Sequence, residues 1–158
     1  MAYSYEQGII DGDKTQKKFF ENNPTWVDLN KKVKRNYKGA DFWLPKEKRG
    51  NIFYGPKLEL KGRTCDKVDP YKNQMEDSVI LVVEFDGDGV YHLWYMKDFI
   101  EQSVPHSDPS DRDKGRRQMS RKKYLEGAIK MSLDEMVKTI DSSQFVSDPR
   151  PATLDPFI

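Results

Sequence analysis

Between Ser78 and Phe85 the chain places Val79, Ile80, Leu81, Val82 and Val83 in succession, its longest aliphatic run. Such a run favours a β-strand and is far too short to span a membrane. Asp86-Gly87-Asp88-Gly89 supplies turn residues and Val90 to Met96 returns, so a β-hairpin is expected here. A calcium loop opening at Asp86 would need a bidentate acid at its twelfth position, where Lys97 stands, so the turn is the better reading.

A second hairpin is expected from Gly39 to Arg63. Phe42, Trp43 and Leu44 lead out to Pro45, Lys46 to Asn51 form a charged loop around Gly50, and Ile52, Phe53 and Tyr54 lead back. Leu58 and Leu60 carry the apolar alternation of the later strand, and Gly55-Pro56 marks a bulge or an edge. Asp41 and Glu59 are equidistant from Gly50. In a regular antiparallel pairing about that residue they face each other, with Cβ atoms about 5 Å apart. Lys61 shares the face of Glu59 because strand side chains repeat every two residues. Two carboxylates and an ammonium therefore converge, and Glu59-Leu60-Lys61 is the only acid-x-lysine triplet in the chain.

Such a patch suits a hard cation. Mg²⁺, or Mn²⁺, takes oxygen ligands and retains waters, so Asp41, Glu59 and a backbone carbonyl, that of Leu60, suffice. A bound ion of this kind activates water and neutralises phosphate charge, and a lysine beside it can orient the water or hold the phosphate. The competing reading is a surface ion pair worth under about 1 kcal/mol.

Asp41 within Ala40-Asp41-Phe42-Trp43-Leu44-Pro45, followed by Leu58-Glu59-Leu60-Lys61-Gly62, resembles the PD-(D/E)XK nuclease superfamily, and in particular its phage junction-resolving endonucleases. The hairpin is longer here, and Ala40 stands where a proline is usual. The resemblance covers about Asp11 to Arg63. It implies an α/β (α+β) fold with a restriction-endonuclease-like mixed β-sheet flanked by helices. It also implies Mg²⁺-dependent hydrolysis of DNA phosphodiester bonds leaving 5′-phosphates, with Asp41 and Glu59 on the metal and Lys61 assisting the attacking water. Many members add a Glu or Gln from the first helix. Gln16 sits where that residue is expected, with Asp13 and Glu21 as rivals.

The remaining chain fits one domain over residues 1–140 with an extended tail over 141–158. A helix is expected from about Tyr5 to Glu21, anchored by Ile9, Ile10, Phe19 and Phe20 and weakened by Gly8 and Gly12. Lys97 to Gln102 reads as a short helix start or turn, Pro105 to Gly115 as a loop, and Ala128 to Met131 as a last strand. Ser132 should cap a helix over Leu133 to Ile140, with Glu135 completing a capping box. The single cysteine, Cys65, excludes an internal disulfide framework and reads as a bland thiol. With two histidines, zinc chemistry has too few ligands. The N-terminal residues lack a signal-peptide pattern, so a cytoplasmic protein without membrane association is expected.

The chain holds 27 basic and 26 acidic residues, so only local runs can argue for nucleic acid. Lys31, Lys32, Lys34 and Arg35 lie in one such run. Arg116, Arg117, Arg121, Lys122 and Lys123 lie in another, from Arg112 to Lys123. Arg63 and Lys67 follow the acidic centre. All are candidate phosphate contacts on DNA. Cutting both strands of a duplex with one such site per chain calls for two copies, so a homodimer is expected. The alternative function is a non-catalytic nucleic-acid-binding accessory protein. A third is a structural or inhibitory phage protein whose charges serve solubility.

Overall fold

The computed structural model describes residues 5–29, 40–71, 74–76, 78–107 and 114–149, with residues 5–13 described as backbone alone. The fold is mixed α+β. Helix α1 (Tyr5–Asn22) precedes β1 (Val27–Asp28), β2 (Phe42–Trp43), β3 (Glu47–Arg49), β4 (Ile52–Gly55), β5 (Lys57–Arg63) and β6 (Lys67–Val68). Then come β7 (Val79–Phe85), β8 (Tyr91–Tyr95), α2 (Met96–Gln102), β9 (Val104–Pro105) and β10 (Arg117–Ser120). The described chain ends with α3 (Arg121–Gly127), α4 (Leu133–Thr139) and β11 (Val146–Ser147).

The central sheet runs β1-β2-β5-β7-β8, with β5 and β7 parallel and the other neighbours antiparallel. Every residue of β7 is buried, as a strand covered on both faces requires. On one face Leu58, Leu60, Ile80 and Val82 pack with Phe19 of α1 and with Met136 and Val137 of α4. On the other, Leu81, Val83 and Phe85 pack with Phe99 of α2 and Tyr124 of α3. The Tyr124 hydroxyl donates to the carbonyl of His92 at 2.7 Å, and Trp94 Nε1 donates to the Tyr124 carbonyl at 2.9 Å. Two three-stranded ribbons, β6-β10-β9 and β11-β4-β3, flank the sheet. Among the described residues no helix is long and apolar enough to cross a membrane.

Helix α1 runs unbroken through Gly8 and Gly12, and the β7–β8 hairpin forms as the aliphatic run requires. The last strand expected at Ala128 to Met131 reduces to one bridge, Ile129 to Leu93. Ser132 and Glu135 form the reciprocal cap of α4. Helix α3 was not foreseen. It starts where Ser120 Oγ accepts the Lys123 N–H at 3.2 Å. The first part of the tail is also built in: β11 pairs with β4, and Trp43 Nε1 donates to the Val146 carbonyl at 3.0 Å. Residues 150–158 lie outside the described residues, as do Lys31, Lys32, Lys34 and Arg35 and the side chains of Ile9, Ile10 and Asp13.

The register of the first hairpin decides where its acids fall. At the tip Arg49 pairs with Ile52 around Gly50-Asn51, a register that would set Asp41 against Leu60 if continued. At the base Phe42 pairs with Leu58 and Trp43 with Lys57, which sets Asp41 against Glu59. The one-residue difference is absorbed at a bulge: Glu47 is registered with Tyr54, and the Lys46 N–H also donates to the Tyr54 carbonyl at 3.0 Å. The irregularity therefore sits at Lys46-Glu47 rather than at Gly55-Pro56. Gly55 serves a different end, because a Cβ there would fall 1.5 Å from the Leu44 carbonyl oxygen. Gly50 turns the tip with φ +63° in open space. Gly55→Ala is expected to cost about 3 kcal/mol by forcing the strands apart, against about 1–2 kcal/mol for Gly50→Ala. Urea unfolding of the two variants measures the difference, and equal losses would contradict this account of Gly55.

Candidate active site

Strand β5 carries the centre. Glu59 and Lys61 alternate with Leu58 and Leu60, which fixes them on the opposite face of the sheet. That face is covered too: Glu59 is 1% exposed and Asp41 6%. The reading of these residues as a surface ion pair therefore fails. The Asp41 backbone is held on both sides, its N–H donating to the Leu58 carbonyl at 3.0 Å and its carbonyl accepting from Leu29 at 2.9 Å. Its carboxylate accepts from Gln16 Nε2 at Oδ1 and from the Leu60 N–H at Oδ2, both at 2.9 Å. Lys61 Nζ lies 3.1 Å from Glu59 Oε1, while Glu59 Oε2 is buried with no hydrogen-bond partner.

The backbone of β5 supplies a third oxygen. Lys57 donates to Ser78, and Arg63 accepts from Asp86, so the odd-numbered residues bond toward β7. Leu60 faces the other edge, where its N–H meets Asp41. Its carbonyl leaves the strand on that same edge. Asp41, Glu59 and Leu60 line a cleft of about 870 Å³ together with Gln16, Lys61, Lys14, Lys18, Arg63 and Glu84. Two carboxylates, one of them with an orphaned buried oxygen, plus a carbonyl form a hard-oxygen donor set. They fit a cation such as Mg²⁺ that keeps several waters. Among the described residues no group of three or more His, Cys, Asp or Glu converges, so a protein-only cage is not present there.

Burial pushes both acids above their ordinary values, and the neighbouring Asp41 charge pushes Glu59 well up, against the pull of Lys61. Lys61, the Leu60 N–H and a hydrogen bond from the protonated Glu59 carboxyl draw Asp41 back down.

Of the first-helix candidates, Gln16 reaches the site. Glu21 is exposed and does not line the cleft. Arg63 lines the cleft and bonds Asp69 at 3.2 Å; Lys67 lies 3.8 Å from the same carboxylate. The second basic run divides. Arg116 donates to the carbonyls of Asp69 and Pro70, and Arg117 to Ser103, so both hold the fold. Arg121 pairs with Asp86 at 2.6 Å, and Lys123 donates to the Gln102 carbonyl, while Lys122 is exposed. Cys65 is exposed at the cleft, its Sγ 3.5 Å from the Lys67 carbonyl.

Sequence reasoning missed Glu84, a 3% exposed acid on β7 that accepts from Lys18 at 3.2 Å and from the Gly89 N–H at 3.0 Å. The signal was present: a lone acid inside an otherwise apolar strand. Lys14 and Lys18 were also missed, although their i, i+4 spacing around Gln16 puts them on the cleft side of α1.

No protein-family model, curated protein or solved structure matches this chain.

The raised acids set a pH dependence. A carboxyl whose folded pKa exceeds its unfolded value holds extra protons in the native state. Stability is then greatest below the unfolded pKa and falls as pH rises through the folded one. Glu59→Gln is expected to match the wild type near pH 4 in thermal unfolding and to exceed it at pH 7–8 without divalent ions, Lys61 keeping Asp41 as counter-charge. Mg²⁺ or Ca²⁺ should raise the wild-type Tm at pH 8 and leave Glu59→Gln almost unmoved. A wild-type Tm that climbs between pH 5 and 8 without metal would contradict the assignment.

Proposed function

We propose that the protein is a metal-dependent endonuclease that hydrolyses DNA phosphodiester bonds, with Asp41, Glu59, Lys61 and Gln16 as its working residues. The observation that carries this reading is the burial of Asp41 and Glu59 side by side at a cleft, with one carboxylate oxygen left unpartnered. Two adjoining buried acids oppose folding, and a structural role would be better filled by apolar residues of similar volume. Perturbed carboxyls in a cleft are instead the mark of a working site. The resemblance of Asp41 and Glu59-Leu60-Lys61 to the PD-(D/E)XK pattern supplies the reaction class.

Asp41, Glu59 and the Leu60 carbonyl are the residues that would hold Mg²⁺ or Mn²⁺. Such an ion, when bound, makes water a stronger nucleophile and neutralises charge on the phosphate. Gln16 fixes one oxygen of Asp41, and the Leu60 N–H fixes the other, so the carboxylate is oriented before any ligand arrives. Lys61 brings an ammonium to the same point, able to orient the attacking water and to bind a phosphate oxygen as charge develops. Lys14, Lys18 and Arg63 put further cations at the cleft for neighbouring phosphates. A homodimer would supply the second site needed for both strands.

Three measurements test the reading. Purified protein should nick or cut DNA with Mg²⁺ or Mn²⁺, leave 5′-phosphates, and bind DNA with little turnover in Ca²⁺. Lys61→Ala should lower the single-turnover rate by about 10²–10³-fold in saturating Mg²⁺. Circular dichroism should show it folded there, because the ion takes over the counter-charge to the acids. Asp41→Asn should abolish cleavage while metal-free DNA binding holds or strengthens. Cleavage at the wild-type rate by Lys61→Ala, or binding without cleavage in every metal, would replace the nuclease with an accessory DNA-binding protein.

A further inference from the structure

Tyr71 lies on the crossover from β5 to β7 and is 52% exposed, yet its surroundings are fixed with unusual thoroughness. Arg116 donates through Nε and a terminal nitrogen to the Asp69 carbonyl at 3.1 and 2.5 Å, and through Nε to Pro70 at 3.3 Å. The Asp69 carboxylate is in turn contacted by Arg63 at 3.2 Å, Lys67 at 3.8 Å, His106 at 3.2 Å and Arg116 at 3.3 Å. The Tyr71 N–H donates to Gln74 Oε1 at 2.8 Å. The ring itself packs against the Arg116 guanidinium, 4.4 Å from its centroid, with Lys61 Nζ at 5.2 Å. A ring serving only to pack would be covered; this one is held in place with half its surface in water.

Its place gives the reason. Lys61 and Gln74 both line the cleft with Asp41 and Glu59, so the ring stands at the rim beside the reacting centre. An aromatic face flanked by cations suits one ligand class, a nucleotide: the base stacks on the ring while the cations take the phosphates next to it. Arg63 and Lys67 share one acid, Asp69, so positive charge is left over for that purpose. A base inside a duplex shows only its edges, because its faces are covered by its neighbours in the stack. A base that lies on Tyr71 must be unpaired or turned out of the helix.

We propose that Tyr71 is a stacking platform for an unpaired nucleobase adjoining the cleaved phosphate, so that this site prefers nucleic acid with a single-stranded, branched or flipped nucleotide there. The inference rests on the nuclease reading and narrows its substrate.

The test is a cycle between the tyrosine and the base. The cut position is first mapped with wild type in Mg²⁺. Affinities are then measured in Ca²⁺ for oligonucleotides fully paired or unpaired at that position, each with a normal or an abasic nucleotide flanking the cut. Wild type should bind the unpaired form about tenfold or more tightly over the paired one. Tyr71→Ala should lose about 5- to 150-fold on the unpaired normal strand and nothing on the abasic one. Tyr71→Leu, which retains bulk against Arg116, should behave as Tyr71→Ala, and Tyr71→Trp should keep the preference. Equal losses on normal and abasic strands would make the ring a structural prop and overturn the proposal, as would equal wild-type affinity for paired and unpaired DNA. Failure of the nuclease reading looks different, since wild type would then show no metal-dependent cut to map.

Discussion

The structure turns on two carboxylates forced together where water is scarce. Two full negative charges about 5 Å apart, the general spacing of side chains opposed across a sheet, would repel by about 3 kcal/mol at an effective dielectric near 20, before any loss of hydration. The fold contains this with three groups: the Lys61 ammonium against Glu59, and the Leu60 N–H and the Gln16 amide against Asp41. Each comes from an element whose position is set by apolar packing. Phe19 seats α1, which carries Gln16; Leu58 and Leu60 seat β5; Phe42 seats β2. The two apolar layers thus act on the site as a vice, holding groups that would separate in solution.

The arrangement divides orientation from charge. Backbone and amide donors fix the direction of Asp41, whereas Glu59 keeps one oxygen uncommitted. For the proposed reaction, preorganisation of this kind would place the reorganisation cost in folding rather than in the chemical step. In the proposed nuclease it would also make the cleft a region where stability and activity oppose each other, because any change that relaxes the acids removes polarity from the site.

The acidic centre was legible because it is local in sequence: strand alternation and the symmetry of Asp41 and Glu59 about Gly50 placed the two acids opposite each other. That placement holds for a reason the sequence hid. The tip turns on two residues, which alone would shift the register, and the Lys46-Glu47 bulge shifts it back. The basic run from Arg112 was less legible. Arg116 and Arg117 look like their neighbours in composition, yet their partners, Asp69 and Ser103, lie 47 and 14 residues away. No periodicity announces such pairs. Asp69 gave no signal for the same reason, since its partners come from β5, β6, Arg116 and His106. Glu84 carries a readable signal, a lone acid inside an apolar strand.

The hairpin that joins the two acids is completed by β11, and Trp43 bonds a carbonyl 103 residues further along the chain. At synthesis rates of about 5–20 residues per second, that partner emerges about 5–20 s after the tryptophan. For most of this interval the nascent chain already carries Asp41, Glu59 and Lys61, but the strand that braces the segment between them has not been made. The chain order thus builds a delay into the maturation of the cleft: its acids and lysine are translated early, and the bracing of the hairpin that carries them waits on nearly the last described residues.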